Sequence, residues 1–263
     1  MSAGQAVEMK RKRRSETHVT TDRRKFLNWF LLLIFGNGSV LSAASGQPNP
    51  APQIVQDTAR LMPYSFRSIL PKYSSNLVIG ANGFSSQPYL DSQGRELLEQ
   101  TILTKIGGTV TILRGARPKF SLVMEDLGLL AEMILLINLP DLEEPAQENL
   151  VSLKSGLKNN SPSFRRVVYD STELGRGSDS VKQLLREIRI RRVLITRWYK
   201  DFFFNKSALD LTIPLDPESP PFGVLSLVYS HTVNDLARLW LWIWREANGD
   251  MAGSPLLTGS SLN

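Results

Sequence analysis

The chain has no cysteine and only two histidines, His18 and His231, in 263 residues. The missing cysteine excludes disulfides, thiolate zinc and iron–sulfur sites, covalent c-type haem, thiol nucleophiles and lipid-bearing cysteine anchors. The shortage of histidine argues against imidazole-rich metal clusters and proton relays. No run approaches 18 uninterrupted apolar residues, so a multi-span membrane topology is excluded. What remains is ordinary globular material: 42% hydrophobic and 21% charged residues, enough to bury a sizeable core.

The net charge of +6 is unevenly placed. Residues 1–28 carry eight bases against three acids, which leaves 23 bases against 22 acids for the rest. A body so near neutrality has no global field to draw phosphates, so nucleic acid is not an expected partner. The basic segment has the order of a targeting leader. Thr21-Asp22-Arg23-Arg24-Lys25-Phe26-Leu27 resembles the twin-arginine export signal, through Arg23, Arg24, Phe26 and Leu27. A weakly apolar stretch follows from Trp29 to Leu41, and small residues give peptidase sites after Ala44 or Gly46. This implies residues 1–46 as a signal segment, the twin-arginine translocase as partner, and an exported or periplasmic body. An uncleaved leader acting as an anchor is the alternative. Residues 47–53 read as a Pro-rich linker, 54–250 as the helical domain and 251–263 as a frayed tail.

The apolar spacing of the body predicts an all-α domain of seven to nine helices. Pro63 and Pro71 interrupt the first of them, and Ser92 reads as an N-cap. Lys105 to Gly115, rich in Thr, Val and Gly, reads as either a short strand or a loop. Pro118 to Leu139 reads as a long helix ended by Pro140, and its Leu127–Leu139 part is apolar nearly all round, so it belongs at the centre. The acids Asp141, Glu143, Glu144 and Glu148 read as a solvated loop rather than a calcium loop. Gly175-Arg176-Gly177 reads as a turn before a helix from Ser180 to Phe203, with Arg186, Arg189, Arg197 and Lys200 opposite its apolar side. Phe202, Phe203 and Phe204 are expected to pack at its end. Prolines 214, 217, 220 and 221 suggest an extended linker before the last helix, Phe222 to Ala247, stopped by Asn248-Gly249. Two of its tryptophans, 240, 242 and 244, are expected in the core and the third on a partner surface.

The stretch Leu127-Gly128-Leu129-Leu130-Ala131-Glu132-Met133-Ile134-Leu135-Leu136-Ile137-Asn138-Leu139-Pro140 is similar to a helix of the zinc-dependent phospholipase C and P1-type nuclease superfamily. There the pattern reads Leu-Gly-x-x-x-His-x-x-x-Asp-x-His/Asn-x-Pro. Leu61 to Pro71 resembles a segment near that family's N-terminus. The resemblance implies a single multi-helix domain over about 54–250 and a hydrolase acting on ester bonds with a zinc cluster. The ligands are missing: Glu132 stands at the His position and Leu136 at the Asp position, with Asn138 and Pro140 kept. No metal and no cofactor are therefore expected, and a non-catalytic binding or structural role is the leading expectation.

His231 and Asp235, at i and i+4, share one helix face beside Arg238. They read as an interhelical tie or, in the alternative, as part of a metal-dependent phosphoesterase using Glu132, His231 and Asp235. A serine hydrolase through Ser230 lacks the Gly-x-Ser-x-Gly turn. A third alternative is a membrane-surface protein that uses Phe202–Phe204 and the basic helix face.

Overall fold

Apolar side chains at helical spacing set nearly every element of the computed structural model, which describes residues 49–142, 146–164, 174–204 and 211–257. Arg23, Arg24, Phe26, Leu27, Glu143 and Glu144 lie outside those residues. Contacts set off a compact unit that begins at Gln47. Its described residues form seven α-helices: α1 (Ala51–Ala59), α2 (Tyr64–Asn82), α3 (Ser92–Leu113), α4 (Phe120–Asn138), α5 (Ala146–Asn160), α6 (Ser178–Tyr199) and α7 (Pro220–Glu246). Short 3-10 turns occupy Gln87–Tyr89 and Ser161–Ser163, and a π-turn spans Lys200–Phe204. No strand occurs among the described residues. The body is all-α.

The central element is α4. Every residue from Leu130 to Asn138 is buried, and the helix packs against α1, α2, α3, α6 and α7. Its closest neighbour is α2. A Cβ on Gly128 would stand 2.8 Å from the Ala81 nitrogen and closer still to the Leu77 carbonyl oxygen; one on Gly80 would lie 2.8 Å from the Glu125 carbonyl carbon. The two backbones therefore touch, which only glycine allows. Pro63 is the N-cap of α2, and Pro71 inside it accompanies a kink where Tyr73 leaves helical geometry at φ −125° and ψ 17°.

Several expectations need correction. Residues 105–113 are neither strand nor loop but the second half of α3. Leu98, Ile102, Ile106, Val110 and Leu113 form one buried helical row. Thr101, Thr104, Thr109 and Thr111 turn their hydroxyls to the carbonyls four residues back. Tertiary burial thus overrides weak local propensity. The cap is Asp91, whose carboxylate accepts from the Gly94 N–H at 2.6 Å, and Ser92 is the first helical residue. The expected linker 47–53 already contains the start of α1, because Pro50 can cap and Pro52 can occupy the first turn. Likewise Pro220 and Pro221 are the first turn of α7, capped by Ser219, rather than extended chain.

The end of α7 follows its sequence signal. Asn248 takes the left-handed conformation at φ 60°. The Gly249 N–H donates to the Trp244 carbonyl and the Asn248 N–H to the Arg245 carbonyl, both at 2.9 Å, the two bonds of a Schellman cap. The chain after it is not frayed as far as residue 257. Ser254 is fully buried and donates to the Leu61 carbonyl at 2.9 Å. The Ala252 carbonyl accepts from the Tyr64 N–H at 3.0 Å, and Gly253 lies against the Tyr64 ring. All three tryptophans of α7 are buried, Trp242 included, so none is left to cover a partner. Phe202 and Phe203 are half-buried against the core, and Phe203 packs on Tyr199 with the rings tilted by 34° and their centroids 4.9 Å apart.

Candidate functional site

Three of the buried polar residues, Asn138, Asp235 and Arg238, meet where α6 and α7 cross the C-terminal end of α4. Asp235 on α7 is buried and stands between three donors. Arg191 of α6 donates to its Oδ2, Asn138 Nδ2 of α4 donates to the same oxygen at 3.1 Å, and Arg238 Nη1 lies 4.0 Å from its Oδ1. Arg238 in turn donates to Glu187 of α6 at 3.2 Å. Full burial pushes the Asp235 carboxyl above its ordinary value; Arg191, then Asn138 and Arg238, oppose that push by favouring the charged form.

His231, one turn earlier on α7, forms no hydrogen bond or ion pair among the described residues. Burial and then the charge of Arg191 lower its pKa to about 4. The imidazole is therefore neutral at physiological pH, and Asp235 is held by arginine rather than by His231.

Glu132 stands apart. It is six positions before Asn138, which turns it roughly 120° around the helix. Its partner is Lys154 of α5, an ion pair buried on the carboxylate side. Burial raises the Glu132 carboxyl and Lys154 works against that rise.

The structure thus joins Asn138, Asp235 and Arg238, keeps His231 beside them, and leaves Glu132 elsewhere. Among the described residues no three His, Asp or Glu side chains come together as a metal would require. Leu136, at the position where the resembled family carries a metal-binding Asp, is fully buried in the apolar core. The residues present do not fit a zinc cluster.

A second part of this crossing is not marked by any motif in the sequence. Arg95 of α3 is buried and closes the end of α4, donating to the carbonyls of Leu136 and Pro140 at 3.0 Å and of Leu139 at 3.5 Å. A cation at those carbonyls also opposes the helix dipole. Burial and then Arg192 lower the Arg95 pKa to about 10, and Asp141 resists. Asp141 pairs with Arg95 at 3.5 Å and Arg192 at 3.2 Å, and its N–H donates to the Thr196 hydroxyl at 2.9 Å. The signal was present: Arg95 continues the buried row of Leu98 and Ile102, where a surface arginine has no place.

Away from this crossing, a groove of about 390 Å³ lies between α1 and α2, lined mainly by Pro52, Val55, Ala59, Leu70, Leu77 and Val78. It contains no carboxylate or imidazole. No family model, curated protein or solved structure matches the chain.

Proposed function

We propose that this chain is an exported, non-catalytic helical protein that works by binding, on a scaffold of the phospholipase C and P1-nuclease type whose metal ligands have been lost. One observation carries the non-catalytic reading. Each buried carboxylate of the candidate site is engaged by a cation of a neighbouring helix, Glu132 by Lys154 and Asp235 by Arg191. A carboxylate paired on one oxygen and enclosed on the other ties helices together and gives a metal or a substrate no approach. His231 is neutral but has no carboxylate to orient it. The scaffold reading is supported by α4, where residues 127–138 form one buried central helix with Pro140 beyond its end. The export reading rests on the twin-arginine pattern at Arg23 and Arg24.

The test is metal analysis and phosphodiester hydrolysis on the purified full chain after zinc loading. The reading expects no stoichiometric zinc and no hydrolysis that depends on His231 or Asp235. Two or more tightly held zinc ions per chain, or a robust activity abolished by His231→Ala with the fold intact, would make the chain a metal-dependent phosphoesterase instead.

A further inference from the structure

The outward side of α6 is unusual for a helix packed on a core. Its inward side is conventional, with Val181, Leu184, Leu185, Ile188, Ile195 and Tyr199 buried. The opposite side should be polar. Instead Ile190 and Val193 are 63% exposed, Leu194 51% and Trp198 38%. Positions 190, 193, 194 and 198 follow helical spacing, so the four side chains form one stripe. Arg186 and Arg197 bracket it, about 17 Å apart along the axis. Neither has an acidic partner among the described residues. Arg189, beside the stripe, is tied to Glu99 of α3. The one acid between positions 186 and 198, Glu187, turns inward to Arg238.

We propose that this face of α6 seats on an anionic phospholipid surface, with Ile190, Val193, Leu194 and Trp198 at the headgroup–acyl boundary and Arg186 and Arg197 on lipid phosphates. The inference rests on reading the body as a binding protein. Three observations select a lipid surface. The chemistry matches an interfacial helix: an apolar stripe with a tryptophan, flanked by arginines whose planar guanidinium groups take phosphate in two hydrogen bonds. The charge is complementary to an anionic surface and repels a second copy, because a self-contact would bring the same arginines together. The open apolar area is on the order of 400 Å², large enough to mark an interaction but about half of what one partner of a stable protein complex buries. The contact is peripheral, since among the described residues no helix is long and apolar enough to cross a membrane. Phe202 and Phe203 contribute through the core beneath the helix end, not through lipid.

The absence of cysteine makes a local probe simple. In the full chain, Leu194→Cys carries a solvatochromic fluorophore, and exposed Glu148→Cys on α5 carries the same label as a reference. Each protein is mixed with vesicles of phosphatidylcholine alone or of equimolar phosphatidylcholine and phosphatidylglycerol. The expected result is a blue shift at position 194 on the anionic vesicles only, with position 148 unchanged. Adding Arg186→Gln and Arg197→Gln should weaken the vesicle affinity read at position 194 by about tenfold or more. Reading the label at 194 separates α6 from the basic leader. Co-flotation without a shift at 194 would place the contact elsewhere and overturn the proposal, as would no flotation at all. An equal shift on uncharged vesicles would overturn it too. A shift that grows with protein concentration in the absence of lipid would assign the stripe to a second copy. Metal content and hydrolysis of the same protein report separately on the non-catalytic reading.

Discussion

Four glycines in helices divide into two pairs whose replacement by alanine should have opposite effects. Gly107 and Gly108 lie exposed in α3, and a Cβ there meets nothing within 4 Å. Alanine at either position removes the entropic penalty of glycine, so each substitution should stabilise by about 0.5–1 kcal/mol. Gly80 and Gly128 sit where α2 and α4 touch, and a Cβ would fall inside the 3.0 Å that real Cβ contacts essentially never reach. The obstacle is main chain, the Glu125 carbonyl for Gly80 and the Leu77 carbonyl with the Ala81 nitrogen for Gly128. No side chain can rotate away, so the helices themselves must separate. Overpacking of a core costs about 1–3 kcal/mol, and a rigid obstacle points to the upper end. The helix preference of alanine returns about 1 kcal/mol, which leaves a net loss near 2 kcal/mol. For a body of this size each kcal/mol moves the melting point by about 2–4 °C. Thermal unfolding of the full chain followed by circular dichroism should therefore show Gly128→Ala and Gly80→Ala melting about 4–8 °C lower, and Gly107→Ala and Gly108→Ala slightly higher. If Gly128→Ala stabilises as Gly107→Ala does, the backbone contact between α2 and α4 is wrong.

Asp235→Ala should destabilise by about 3 kcal/mol in urea unfolding, because it leaves Arg191 and Arg238 facing an empty buried position; replacing Asp235 and Arg191 together by Leu should recover much of that loss, and a purely additive double mutant would refute the pairing. His231 gives a pH dependence. Its folded pKa of about 4 lies below the ordinary 6.5, so the unfolded chain binds more protons between those values. That contribution to stability is complete above pH 6.5 and is lost as pH falls toward 4. It amounts to about 1–2 kcal/mol after discounting for the imidazole's partial exposure, so the drop in urea midpoint between pH 7 and 4.5 should be smaller for His231→Gln than for the unaltered chain. Arg95→Met removes the donors to three carbonyls at the end of α4 and should cost about 2–3 kcal/mol in the same assay; a neutral result would mean those carbonyls have other donors. Replacing Arg23 and Arg24 by Lys should retain the protein in the cytoplasm on fractionation, because a twin-arginine receptor reads the guanidinium pair and not charge alone.

Local patterning made much of the fold legible. The apolar run 127–139 sets α4 at the centre, because a segment with almost no polar face has to be enclosed by other elements. Asn248-Gly249 ends α7, because Asn accepts the left-handed geometry of a Schellman cap. Both are properties of a few adjacent residues. Helix α3 was half hidden: the buried row from Leu98 to Leu113 has helical period, but Thr and Gly between its members suggest strand or loop until packing is known. The tail after Gly249 has only scattered apolar residues, among them Met251, Leu256 and Leu257, with no period, so nothing local signals that Ser254 is buried with its hydroxyl on the Leu61 carbonyl. At the polar crossing, the sequence places His231, Asp235 and Arg238 on one helix face by spacing alone. It cannot say that Asp235 takes Arg191 rather than His231, or that Glu132 turns to Lys154. Those partners lie 44 and 22 residues away and on other helices. Which cation meets which buried carboxylate depends on how α5 and α6 lie on α4 and α7, and that arrangement is decided by the packing of the whole body.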